Sequence, residues 1–195
     1  LHANSFGSGE DLVILHGFLG TSDNWKTLGK AYADAGFRVH LLDQRNHGRS
    51  FHSTEFSYAL MAKDVLDYLS EMGIEKAIVL GHSMGGMLAT RFALMYPETT
   101  QKLILENPIG LEDWKLKVPY KPVEWWYQNE LKKNYEGIKK YQLESYYDNQ
   151  WKPEYDQWVN LLAGWTLNSS YKTIAWNNAL TYDMIFTVVV DAIQE

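Results

Sequence analysis

The segment Val79-Leu80-Gly81-His82-Ser83-Met84-Gly85-Gly86 constrains this chain more than any other. It follows the apolar run Ala77–Leu80 and opens onto Met87, Leu88 and Phe92, which recur at helical spacing. A buried strand must therefore turn into a helix within two or three residues, with Ser83 at the corner. Such a corner forces the serine backbone into a conformation that side chains resist, and it brings neighbouring chains into contact. Glycine two residues to either side, at Gly81 and Gly85, removes the side chains that would collide. The Gly-x-Ser-x-Gly pattern alone would arise by chance in about one chain in fifteen of this length. The strand before it and the helix after it are what make it specific. The helix N-terminus then lies beneath Ser83, and the amide of Met84 points where an oxyanion would form.

The residues around this corner predict an α/β fold: a mostly parallel sheet flanked by helices, with an inserted helical lid. From residue 11 to about 109, short apolar runs alternate with amphipathic stretches, as βαβ units require. Strands are predicted over Asp11–Leu15, Phe37–Leu42, Lys76–Leu80 and Lys102–Glu106. Helices are predicted over Asn24–Ala35, Tyr58–Met72 and Ser83–Tyr96, the second with Ser57 as N-cap and Gly73 as C-cap. Beyond Gly110 the texture changes. Trp114, Trp125, Trp126, Trp151, Trp158, Trp165 and Trp176 lie there, and helical spacing replaces strand-like runs. The expected division is a core over 1–109, a helical lid over 110–186, and a return to the core over 187–195. As a group, the aromatics of the lid imply an apolar cleft; singly, each is more simply explained by packing.

Two further turns follow predicted strands. His16-Gly17-Phe18-Leu19-Gly20 comes straight after the first, and the amide of Phe18 is placed to give the second oxyanion donor. His16 reads as a support that holds this loop, and Gly17 as the residue that lets it turn. His82, next to the serine, reads as a packing residue that points away from the cleft. Asp43-Gln44-Arg45-Asn46-His47-Gly48-Arg49-Ser50, after the second strand, reads as a loop-fixing turn in which His47 does no chemistry.

These three segments, in this order and spacing, resemble the α/β-hydrolase superfamily over about residues 11–109. The Arg45-Asn46-His47-Gly48 turn, with Phe51-His52-Ser53 and Ser57-Tyr58 after it, looks most like the acyl-ester hydrolases of that family. A serine at position 83 argues against its haloalkane dehalogenases and epoxide hydrolases, which use aspartate there. The resemblance implies a serine esterase. Ser83 would attack a small-molecule carboxylic ester with an apolar acyl or alcohol portion, form an acyl-enzyme, and release it to water. Other serine chemistry on the same frame (amide, C–C bond or peroxide) is the alternative, as is a ligand-binding protein without catalysis.

A serine hydroxyl is a weak nucleophile without a base. The family supplies a histidine after the last strand and an acid before it. The six histidines here, His2, His16, His40, His47, His52 and His82, all precede Ser83. The expected reading is therefore a fragment, or a sheet whose last strands and histidine come from a missing C-terminal segment or a second chain. For the acid, Glu106 at the end of the fourth predicted strand is the leading candidate, ahead of Asp191 and Asp183.

Composition excludes other classes. With no cysteine there are no disulfides, thiolate metal sites or cysteine nucleophile. A net charge of −6 offers no field for nucleic acid. No apolar run approaches the length of a membrane span. No histidine pair or lysine-bearing glycine loop marks a metal or phosphate site, so no cofactor is expected. Nothing at the N-terminus reads as a signal peptide, but the chain opens on Leu1 rather than Met, so a leader removed earlier is compatible with it. The compartment is left open, with a slight preference for the cytoplasm.

Overall fold

The computed structural model describes residues 1–111 and 113–187. They form two compact units, one over residues 1–120 together with the segment from Met184, the other over Lys121–Asp183.

The first unit is built on a five-stranded sheet. Its strands are β1 (His2–Gly7), β2 (Glu10–Leu15), β3 (Phe37–Asp43), β4 (Ala77–His82) and β5 (Thr100–Glu106), in the order β1-β3-β2-β4-β5. Strands β2 to β5 are parallel, and β1 runs antiparallel to β3. Helix α1 (Lys26–Asp34) packs on β1 and β3. Helix α3 (Met84–Met95) packs on β2, β4, β5 and on α2 (Tyr58–Glu71). With helices on both faces, the central strands are buried on both sides and read as unbroken apolar runs. Leu12, Ile14, Val39, Leu41, Ile78 and Leu80 form one buried cluster, closed by Phe6, Trp25, Tyr32, Ala33 and Phe37. By the alternation of a strand, Val13, Leu15, Leu42 and Val79 point to the other face, and they too are fully buried.

Three departures from the sequence reading have local causes. Strand β1 was not among the expected strands. Its residues, His-Ala-Asn-Ser-Phe-Gly, carry no apolar run, because an edge strand has only one neighbour to pack against. The first helix begins later than residue 24. Thr21 caps a 3₁₀ turn over Ser22–Trp25, with its N–H donating to the Asn24 side chain at 2.7 Å, and only then does α1 start. The second helix ends one residue early, at Glu71, with Met72 as C-cap and Gly73 beyond it at φ 66°. Ser57 does cap its start, accepting from the Leu60 N–H at 3.2 Å.

The second unit is helical: α4 (Val123–Glu130), α5 (Tyr135–Tyr146), α6 (Asp156–Thr166) and most of α7 (Tyr171–Thr187). Its interior holds a charge. The Glu130 carboxylate is 2% exposed and is held by Lys133 and by the Asn178 amide, the latter at 2.9 Å. A buried carboxylate is tolerable only when paired and hydrogen-bonded in this way. The aromatics stack around it and beyond: Trp126 on Tyr182 at 4.5 Å, Tyr147 on Tyr155 at 3.9 Å. Trp125, Trp158 and Trp176 remain partly exposed. Among the described residues no helix is long and apolar enough to cross a membrane. The run Val188-Val189-Val190 and Asp191, read as the start of the return to the core, lie outside the described residues.

Candidate active site

Parallel strands all deliver their carboxyl ends to one edge of the sheet, and in open α/β sheets sites form in the crevice outside that edge. Here the edge receives His16 after β2, Gln44 after β3, Ser83 after β4 and Asn107 after β5.

Ser83 occupies the corner between β4 and α3 with φ 54° and ψ −121°. A residue with a Cβ avoids that region at a cost of roughly 1–3 kcal/mol, so the surrounding contacts must enforce it. They do. The Ser83 N–H donates to the Glu106 carbonyl at 3.2 Å, and the Ser83 carbonyl accepts from Gly86 at 2.9 Å and from Ile109 at 3.2 Å. The turn that returns Ile109 to the serine passes through Asn107 at φ 41°. The two flanking positions leave no room for a side chain. A Cβ on Gly81 would lie 2.2 Å from the Gly85 carbonyl oxygen, and one on Gly85 would lie 2.1 Å from that of Leu15. Met84 is the first residue of α3, so its N–H is one of the helix-end donors that has no intrahelical acceptor.

The His16-Gly17-Phe18 turn packs directly against this corner. A Cβ on Gly17 would stand 3.0 Å from the Ser83 Cβ and 3.1 Å from His82 Nδ1. His82 is half-buried and meets Trp25 edge-on at 5.7 Å. His16 is 1% exposed. Its Nε2 accepts from the Gln44 N–H at 3.1 Å, which places the proton on Nδ1, and Nδ1 donates to the Gly17 carbonyl at 2.8 Å. Burial, with His47 5.1 Å away, depresses its pKa to about 3. His16 is therefore neutral at physiological pH. His47 is also buried and bonds the Arg45 carbonyl at 2.9 Å, and burial lowers its pKa too. Asp43 anchors the same turn. Burial works to raise its pKa, but the N–H groups of Arg49 at 2.8 Å and Ser22 at 2.6 Å outweigh it and hold the carboxyl below the usual carboxylate range.

Glu106 ends β5 opposite His82, and its side chain is exposed. Asp183 lies on α7, in the helical unit. Two features escaped the sequence reading. One is the Ser83–Ile109 latch, for which Asn107-Pro108 was the available turn signal. The other is Gln44, which bonds His16 twice and carries no sequence signature. Among the described residues no three His, Asp or Glu side chains converge as a metal ion would require.

The buried histidines fix how stability responds to acid. In the unfolded chain each takes a proton near pH 6.5; in the folded protein His16 refuses one until about pH 3. Stability is thus complete above pH 6.5 and falls as pH drops from there toward 3, by up to about 1.4 kcal/mol per pH unit for each such histidine. Thermal midpoints should stay level from pH 7.5 to about 6.5 and then decline toward pH 5. A midpoint that stays level all the way to pH 5 would contradict the buried, neutral state of these rings.

Comparison with known proteins adds four observations. A model of the alpha/beta hydrolase fold matches residues 12–181. Among solved structures, a "probable hydrolytic enzyme" of Pseudomonas aeruginosa PAO1 is 39% identical with a TM-score of 0.87, over 96% of this chain and 67% of that one. A marine microorganism esterase is 28% identical with a TM-score of 0.65, over 96% of this chain and 72% of its own. The sn-1-specific diacylglycerol lipase ABHD11 of Mus musculus is 38% identical across 102 residues, 51% of this chain. That stretch spans about a third of the lipase's own length, 33%.

Proposed function

The chain belongs to the alpha/beta hydrolase family, and from that premise we propose that it cleaves carboxylic esters with an apolar acyl or alcohol portion through an acyl-enzyme on Ser83. The observation that carries this reading is the enforced backbone of Ser83, φ 54°, at a strand–helix corner against which the His16-Gly17-Phe18 turn is packed. A strained polar residue at such a point is the mark of a working side chain.

The chemistry runs as follows. The Ser83 Oγ attacks the ester carbonyl carbon while a base takes its proton, and the carbonyl electrons move to oxygen. The amides of Phe18 and Met84 receive that oxyanion, each worth about 3–4 kcal/mol in the transition state. Collapse expels the alcohol, which takes up the proton, and water then releases the acid by the same steps. The family resemblance implies a histidine as that base, and none of the six histidines of this sequence, all of which precede Ser83, is assigned the role. The candidate acid is Glu106, at the end of the strand beside the elbow. The helices of Lys121–Asp183, with their tryptophans, are read as a lid, and that composition motivates the apolar substrate. The name of the mouse relative points to acylglycerol esters as the first panel to assay.

Treating the native protein with a fluorophosphonate tests the reading. Phosphonylation of the peptide that contains Ser83, found by mass spectrometry, is the expected result. A reactive, active protein with no adduct on Ser83 would sink it.

A further inference from the structure

An oxyanion donor works only if its N–H is aimed before the reaction begins, and a backbone N–H is aimed by its peptide plane. In a trans peptide the C=O and N–H are coplanar and point in opposite directions. The Phe18 N–H therefore takes its direction from the Gly17 carbonyl. That carbonyl is pinned by two donors, His16 Nδ1–H at 2.8 Å and the Gly20 N–H at 3.0 Å. The preceding plane is pinned as well, because the His16 carbonyl accepts from Gln44 Nε2 at 2.6 Å. His16 itself is oriented by the Gln44 N–H on its Nε2. One residue, 28 positions away in the turn after β3, thus governs two consecutive peptide planes of the turn.

Gln44 holds this post at a cost. It is 1% exposed, and its Oε1 is buried with no hydrogen-bond partner among the described residues. An unsatisfied buried acceptor destabilises a fold, and such an atom asks for an explanation. A side chain selected for stability alone would be apolar here. What the amide offers in return is its other end, the N–H on the His16 carbonyl.

We infer that Gln44 is a positioning residue of the oxyanion hole, fixing the Phe18 amide through His16 and Gly17. The inference rests on the acyl-transfer reading of Ser83 and adds to it a specific second layer. It also separates activity from stability, because the side chain should help the first and harm the second.

Gln44→Met keeps the length and shape of the side chain, removes the N–H donor, and removes the orphaned acceptor. In the native protein it should lower kcat for an ester by about tenfold, with KM within about twofold, since the donor is misaimed rather than deleted. The inhibition constant of a trifluoromethyl ketone, which forms a tetrahedral adduct, should rise by a similar factor. The thermal midpoint should hold or rise. A folded Gln44→Met with unchanged kcat, or with its whole loss in KM, overturns the role. Gln44→Ala is the second variant, read the same way, and collapse of both would make Gln44 a folding residue and overturn it equally. Ser83→Ala run in parallel separates the two levels. If Ser83→Ala keeps turnover, the serine reading fails and takes this one with it. If Ser83→Ala is inactive while Gln44→Met is fully active, only the role of Gln44 fails.

Discussion

If Ser83 carries the acyl-enzyme as proposed, Ser83→Ala is expected to lower ester turnover at least about ten-thousand-fold, because nucleophile, base and oxyanion donors of that mechanism act as a unit. Ligand affinity should change little, since the hydroxyl is small and the donors remain. Kinetics with a matched binding measurement checks both. Turnover that survives Ser83→Ala would rule out covalent chemistry at this position, and binding without turnover in the unmodified protein would favour a ligand-binding role. A companion variant reads the strain directly. Alanine inherits the serine's φ of 54°, whereas glycine adopts it freely. Ser83→Gly should therefore be the more stable of the two inactive variants, by about 1 kcal/mol after the extra freedom of glycine in the unfolded chain is set against the relieved strain.

Gly85→Ala carries the largest expected effect on stability. The added carbon would sit 2.1 Å from the Leu15 carbonyl oxygen and 2.6 Å from that of His16. Both obstacles are backbone, Leu15 at the end of a strand bonded on both sides and His16 in the turn after it, so no side chain can swing away. Helix α3 and the end of β2 would have to separate by about an ångström, opening the buried contact between them. A loss of about 4 kcal/mol or more follows, which places the substitution in the rare severe class and leaves little of a typical domain's stability. Gly164→Ala in α6 is the control. Nothing lies within 4 Å of that site, and alanine there should stabilise the helix by up to about 1 kcal/mol. Denaturation midpoints of the two variants should move in opposite directions. A Gly85→Ala protein with an ordinary midpoint would mean that α3 does not approach β2 as described.

The difference between what the sequence disclosed and what it hid follows from the range of each constraint. The elbow was legible because its steric demands are local: an apolar strand, a glycine, a serine, a glycine and a helix occur within a dozen residues. Strands β2 and β4 were legible because burial on both faces makes their central residues an apolar run, whereas β5 was legible from Leu103-Ile104-Leu105 although most of it is exposed. Strand β1 was hidden because an edge strand needs no such run and is defined by its register with β3, from His2 opposite Asp43 to Gly7 opposite Arg38. Gln44 was hidden for a deeper reason. A glutamine in a polar turn is unremarkable until the fold lays it against His16, and nothing within the turn itself demands an amide there. The 3₁₀ turn before α1 was hidden by a cap at Thr21 whose partner, Asn24, also suits a helix start.

The convergence of four strand ends at one edge has a consequence for how such a site comes into being. Helices α1, α2 and α3 involve only near neighbours in sequence. The site does not: Leu12 must meet Ile78, and Ser83 must meet Glu106, before the turn and the elbow face each other. Contacts of that separation carry the full entropic penalty of closing long loops, and they form late and slowly. In refolding, then, helical signal should return well ahead of reactivity at Ser83. A newly made chain would spend that interval with its hydroxyl present and its chemistry absent, inert until the last long-range closure is made.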